Sequence, residues 1–379
     1  MKILRTPEIF SGEGSLKQVI NITKKIGVRR VLVISGRNIV KFGIYQKLED
    51  ILNNAGIEYI GCDKVEPEPS IDLISQIVSF ARASRAEAVI GLGGGSSLDT
   101  AKIAAALVTN HHAIEKYIGI ELFENNPVPV IAVPTTAGTG SEVTPVAVLS
   151  DPGEQLKKAI YSTKMIPSFA ILDPSLTLDL PKSATASSGM DALTHAIEAY
   201  TSVHANIYTD TLALRAVSLL MDNIRIACSG HADVKVREDM LIGSLLAGMA
   251  FTNAGVAAVH AFANPLGGMF HVPHGIANSL MLSTIMAFNA VGNEDKFTEI
   301  ARCLTKSENA TIDRGIDEIN KLCDDLTMPV DLRAAGIPED AISKMAERVM
   351  KSPILLTNNR RSISYEDASE LYRKAYIRR

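Results

Sequence analysis

The sequence predicts an α/β N-terminal domain over residues 1–181, built on a mostly parallel sheet, and an all-α C-terminal domain over residues 182–379. Three observations lead to this. At 379 residues the chain exceeds what one hydrophobic core usually serves. Its first half alternates short β-branched runs with helical patterns, as a parallel sheet covered on both faces requires. After "LDLPKSAT" the β-branched runs thin out and long helical patterns take over, which puts the boundary at Pro181.

Each element has its own signal. "RRVLVIS" is a short apolar strand, followed by one helical pattern from Asn38 to Asn54. "IEYIGC" and "AEAVIGL" repeat the strand signal, each followed by a helix, over Ser70–Arg85 and Ser97–Val108. "VPVIAVP" closes the series at Pro134, and "EVTPVAVLS", "KKAIYST" and "FAILDP" are expected as further strands in an antiparallel extension. Ligands of parallel sheets bind at the carboxyl ends of the strands, so the loops there matter most.

Composition narrows the class. Apolar residues are 46% and charged residues 21%, enough for an ordinary core. The 38 basic and 42 acidic residues give a net charge of −4 with no block of one sign, which points away from nucleic acid and anionic membrane as partners. The N-terminus lacks an apolar signal core, and no apolar run approaches a membrane span. Cys62, Cys228, Cys303 and Cys323 are scattered, as reduced thiols of a cytoplasmic protein would be.

Two loops carry ligand chemistry. "GLGGGSSLDTAK" sets Gly93, Gly94 and Gly95 between a strand and a helix start, where Ser96 and Ser97 are expected caps and the free amides suit a phosphate. It is not the dinucleotide fingerprint, because the sixth position counted from Gly91 is Ser96. The loop alone reads equally as a tight turn. "PTTAGTGSEVT" follows the next strand, and two such loops on one sheet edge favour a dinucleotide.

Asp191 and His195 stand one helical turn apart in "SGMDALTHAIEAY", on one face. Of eight histidines, His111, His112, His204 and His231 lie in polar surroundings and are expected to face solvent. His260 sits on a small, apolar helix and His274 heads the next, and a buried imidazole needs a specific neighbour. If these helices face the first, one carboxylate and three imidazoles form a site for a divalent transition metal. Four ligands fill a tetrahedron, so an active metal here should take five or six; ferrous iron fits, with zinc as the alternative.

The motifs "GGGSSLDTAK", "PTTAGTGSEVT", "GMDALTHAIEAY", "VHAFANPLGG", "PHGIAN" and "NNRRSISYEDASELY", in this order over essentially the whole chain, resemble the iron-dependent (group III) alcohol dehydrogenases. The resemblance implies their architecture, shared with dehydroquinate synthases: a dinucleotide-binding domain, a helical domain, and a metal at the cleft between them. By motif it implies Asp191, His195, His260 and His274 as metal ligands. Gly94, Gly95, Ser96, Asp99, Thr135, Thr136, Thr139 and Lys157 match cofactor-contact positions, and Phe251 lies in a segment that lines the substrate pocket.

The departures carry information. Asn264 replaces a common histidine and cannot titrate, which leaves proton relay to water or His271. Glu68 and Val146 replace asparagines, and Arg360 replaces the proline of a C-terminal "NPR". In "VISGRN" Gly36 stands where NAD-preferring members carry an aspartate, and Arg37 beside it could pair with a 2'-phosphate, so NADP(H) is favoured over NAD(H). The expected activity is hydride transfer between NAD(P)H and a small aldehyde or ketone, in a homodimer or larger homo-oligomer. The rival readings are a dehydroquinate synthase or glycerol-1-phosphate dehydrogenase-like enzyme, and a non-catalytic metal-binding protein.

Overall fold

The computed structural model describes residues 2–151, 153 and 156–377. Contacts divide it into two compact units: Leu4–Leu180 with Asp233–Leu241, and Pro181–Ala232 with the chain from Ile242 onward.

The first unit holds strands β1 (Glu8–Ser11), β2 (Arg30–Gly36), β3 (Glu58–Val65), β4 (Ala88–Gly93), β5 (Gly119–Ile120), β6 (Val130–Pro134), β7 (Val146–Asp151), β8 (Leu156–Tyr161) and β9 (Phe169–Leu172). Its helices are α1 (Gln18–Ile26), α2 (Arg37–Lys41), α3 (Ile44–Asn54), α4 (Ile71–Ser84) and α5 (Gly95–Thr109). Among the described residues six strands form one sheet in the order β1-β9-β6-β4-β2-β3, every pair parallel.

Alternation along the strands builds a core on each face. Val31, Val33, Ile90 and Leu92 pack against α1 and α3 through Val19, Ile22, Leu48 and Leu52. Leu32, Ile34 and Val89 pack the other way, against Ile74 and Ile77 of α4 and Ile103 of α5.

Three expectations are corrected. The helical pattern from Asn38 to Asn54 is two helices, because Gly43 takes the left-handed conformation (φ 71°) between them. "FAILDP" does not extend an antiparallel sheet: β9 lies inside the parallel sheet, between β6 and β1. Among the described residues only β7 and β8 pair antiparallel, in a separate small sheet with β5.

The second unit is helical, as expected. It contains α6 (Lys182–Thr201), α7 (Ile207–Ser229), most of α8 (Val234–Ala254), α9 (Ala258–Phe270), α10 (His274–Ala290), α11 (Glu294–Thr305), α12 (Ile312–Asp325), α13 (Ile342–Val349), α14 (Pro353–Asn358) and α15 (Tyr365–Tyr376). Small residues let α6 and α10 approach closely: a Cβ added at Gly275 would stand 1.9 Å from the Ser187 carbonyl oxygen. Among the described residues no single helix is long and apolar enough to cross a membrane.

Candidate functional site

In the α/β unit, β2 leads outward to β3 while β4 leads the opposite way to β6, so the crevice at the ends of β2 and β4 is the topological switch point. Gly36 ends β2 there, and exposed Arg37 opens α2. The glycine loop ends β4, and Gly94, in extended conformation, is the N-cap of α5. The caps expected of Ser96 and Ser97 are not made: both lie inside the helix, which has no side-chain cap. Leu98 donates to the Gly94 carbonyl, so the amides of Gly95 and Ser96 precede the helical ladder and suit an anion.

The second loop packs against the first. Thr135 donates its amide to the Gly93 carbonyl at 3.0 Å. A Cβ on Gly95 would fall 2.6 Å from Thr139 Cγ2, and one on Gly94 3.4 Å from Thr136 Oγ1. The glycines therefore fit the threonines of the neighbouring loop, a reason the sequence did not disclose. Asp99 is bound within the protein: it accepts from Ser141 Oγ at 2.5 Å and the Val148 amide at 2.9 Å, and stands 3.3 Å from Lys102 Nζ. Lys157 pairs with Glu68 at 2.6 Å, and the Glu68 amide donates to Ser96 Oγ.

In the helical unit, α6 carries Asp191 and His195, α9 carries His260 and α10 carries His274. Asp191 Oδ1 lies 3.9 Å from His195 Nε2, 3.9 Å from His260 Nε2 and 3.6 Å from His274 Nε2. Asp191, His195 and His260 are buried, whereas the His274 side chain is 31% exposed and marks the open side. The rings of His195 and His260 stack at 4.7 Å, and Phe251 stacks on the other side of His195 at 4.4 Å.

Burial alone would raise the Asp191 carboxyl, but the imidazoles of His195, His274 and His260 and the Asn278 amide outweigh it and hold the group below its ordinary value. Asp191, His195 and His260 offer ligand atoms that all lie within 4.8 Å of one another, and His274 Nε2 reaches the same carboxylate oxygen from the open side, a donor set that suits a divalent transition metal.

Two further side chains join the cluster, and sequence reasoning missed both. Asn278 Nδ2 donates to Asp191 Oδ1 at 2.8 Å and lies 3.3 Å from His260 Nε2 and 3.4 Å from His274 Nε2. Glu198, 3% exposed, accepts from the amides of Ala257 and Val259 and lies 2.5 Å from His260 Nδ1. The available signal was helical spacing: Glu198 is three residues after His195, and Asn278 four after His274.

His271 stands apart from these contacts, exposed, as the left-handed C-cap of α9 (φ 56°). Asn264 lies on α9, one turn after His260. His111, His112, His204 and His231 are exposed, as expected.

Comparison with known proteins gives two family matches: "Iron-containing alcohol dehydrogenase" over residues 6–174 and "Fe-containing alcohol dehydrogenase family, C-terminal" over residues 185–376. A long-chain-alcohol dehydrogenase of Geobacillus thermodenitrificans is 36% identical, covering 99% of this chain and 96% of its own. The crystal structure of a 1,3-propanediol oxidoreductase superposes with a TM-score of 0.94 at 33% identity, covering 99% of this chain and 100% of its own. The sulfoacetaldehyde reductase of Bifidobacterium kashiwanohense, solved in complex with NAD+, gives 0.89 at 28% identity, covering 100% and 99%.

Proposed function

The chain belongs to the iron-containing alcohol dehydrogenase family, and from that premise we propose that it reduces short aliphatic aldehydes with NADP(H) at a metal held by Asp191, His195, His260 and His274. The reaction class is the family's: hydride transfer between a nicotinamide cofactor and an alcohol/carbonyl pair. The dehydroquinate synthase-like and non-catalytic readings are not favoured by these matches. The observation that carries the proposal is the convergence of three imidazole nitrogens within 3.6–3.9 Å of one carboxylate oxygen.

When bound, the metal, ferrous iron or alternatively zinc, supplies Lewis acidity at the substrate oxygen. The four side chains hold it, and Phe251, stacked on His195, offers the substrate an apolar wall. The α5 amides and the Thr135, Thr136 and Thr139 loop hold the dinucleotide and fix its orientation. Since Asn264 cannot titrate, the proton relay between substrate and solvent falls to water or to His271, exposed at the end of α9. His271→Gln should slow turnover without weakening metal binding; unchanged turnover would leave the relay to water.

The NADP(H) preference is supported by the missing carboxylate at position 36 and by the exposed Arg37 at the same strand end. Gly36→Asp is a poor probe, because a Cβ there would meet the Val65 carbonyl oxygen at 2.8 Å. Arg37→Ala isolates the charge. Four cysteines that form no disulfide among the described residues support a cytoplasmic setting, and family resemblance supports a homodimer or larger assembly, which light scattering in solution tests.

The deciding experiment is anaerobic: protein reconstituted with ferrous iron, with NADPH and NADH oxidation followed against short aldehydes, hydroxy-aldehydes and ketones. Turnover with NADPH favoured, and the preference lost in Arg37→Ala, is the expected result. An NADH preference unaffected by Arg37→Ala refutes the cofactor assignment, and bound metal without turnover refutes the substrate class.

A further inference from the structure

We infer that Glu198 is a positioning residue: its carboxylate fixes His260 in the tautomer that carries its proton on Nδ1 and aims a bare Nε2 at Asp191, His195 and His274. The inference rests on the reading of those four residues as a metal site.

Both ends of the imidazole specify the same tautomer. At one end Glu198 Oε2 lies 2.5 Å from His260 Nδ1; both carboxylate oxygens already accept backbone amides, of Ala257 and Val259, so the carboxylate acts as an acceptor and Nδ1 as the donor. At the other end Asn278 Nδ2 stands 3.3 Å from His260 Nε2. The amide's orientation is settled by Asp191, whose Oδ1 lies 2.8 Å from that same atom. An amide oxygen there would face a carboxylate oxygen, whereas an NH2 group donates to it. A donor nitrogen thus stands opposite Nε2, an arrangement that suits a bare Nε2 and disfavours an N–H there.

Glu198 also fixes the helix that bears the ring. Its Oε2 accepts the Ala257 amide at 3.0 Å and its Oε1 the Val259 amide at 2.5 Å. Ala257 is the N-cap of α9 and has no side-chain cap, so Glu198 fills that role from α6. One helix therefore presents Asp191 and His195 and, a turn further on, the carboxylate that orients the third ring. A carboxylate behind Nδ1–H prevents the ring from presenting an N–H to a cation.

Two measurements test this. The first is the His260 tautomer in the metal-free parent, read by nitrogen–proton multiple-bond NMR on 15N-histidine-labelled protein, with His260→Ala giving the assignment. A proton on Nδ1 is expected, and a proton on Nε2 overturns the inference without any Glu198 variant having to fold.

The second is a double-mutant cycle on metal affinity, using cobalt or zinc against a chromophoric chelator. Glu198→Gln should weaken binding roughly ten- to a hundredfold and leave NAD(H) affinity unchanged. In a His260→Ala background the same change should alter affinity by no more than about twofold, because its target is gone. Equal weakening in both backgrounds, or none in either, overturns the inference and leaves Glu198 as a helix cap. A parent that binds no metal yet shows the Nδ1 proton would remove the metal reading while the clamp on His260 stands.

Discussion

Gly275→Ala is the smallest change that tests whether α6 and α10 must touch for the metal cluster to form. The added Cβ would lie 1.9 Å from the Ser187 carbonyl oxygen, 2.6 Å from its carbonyl carbon and 2.8 Å from its hydroxyl oxygen. Carbon and oxygen ordinarily approach no closer than about 3.3 Å, so the two backbones must part by more than roughly 1 Å. Neither side of the contact is a flexible side-chain end. Overpacking costs about 1–3 kcal/mol, and a clash of backbone against backbone belongs at the upper end.

For a unit near 200 residues, 3 kcal/mol lowers the melting temperature by roughly 6–12 °C. The displacement also reaches the site, because Gly275 follows His274 directly while α6 carries Asp191 and His195. The 3.6 Å between Asp191 Oδ1 and His274 Nε2 would widen. A misplacement of about 1 Å suffices to cost on the order of a hundredfold in turnover. The assay is thermal unfolding of the metal-free protein alongside chelator competition for metal. A variant that melts within about 1 °C of the parent and binds metal equally well would refute the claim that this helix contact sets the site.

Three other substitutions probe separate parts. His260→Ala should abolish turnover and weaken metal binding without erasing it, while leaving NAD(P)H affinity intact by fluorescence titration; unchanged turnover would take His260 out of the site. Gly95→Ala should weaken NADH and NADPH binding together without touching metal affinity, since its Cβ meets Thr139 Cγ2 at 2.6 Å. Thr139→Ser in the same chain, which removes that methyl, should restore part of the loss. Glu142→Gln concerns pH: burial pushes the Glu142 carboxyl from 4.5 up to about 7, against its own amide and Lys102. Between those values the unfolded chain gives up a proton that the folded chain keeps, so stability falls as pH rises and levels off above 7. Removing the carboxyl should stabilise the protein by up to about 3 kcal/mol at pH 8 and by nothing near pH 4 in urea titrations. Parallel pH dependences of parent and variant would acquit Glu142.

The alternating half of the fold is legible because strands such as β2 and β4 are unbroken apolar runs, buried on both faces. β1 is not legible: "EIFS" has only two apolar residues, and its partner β9 lies more than 150 residues away. The place of β9 was missed for the same reason, since no local pattern says which sheet a strand joins. Asp191 and His195 announce themselves by helical spacing, while their meeting with His260 and His274 depends on how α6, α9 and α10 pack. Glu198 shares their helix and escaped notice because an acid in a helix ordinarily reads as a solvated face. The serine caps failed because Gly94 already supplies the extended backbone that an N-cap needs.

The pairing of β1 with β9 also sets a timetable. The strand at residues 8–11 is synthesised long before residues 169–172, its only sheet partner among the described residues. At ribosomal speeds of about 5–20 residues per second, the N-terminal segment waits roughly 10 to 35 s for that partner. The α/β unit also incorporates Asp233–Leu241, so it is finished only after the first two long helices of the other unit have been made. A nascent chain paused before residue 169 therefore exposes an unfinished parallel sheet that chaperones would have to shield.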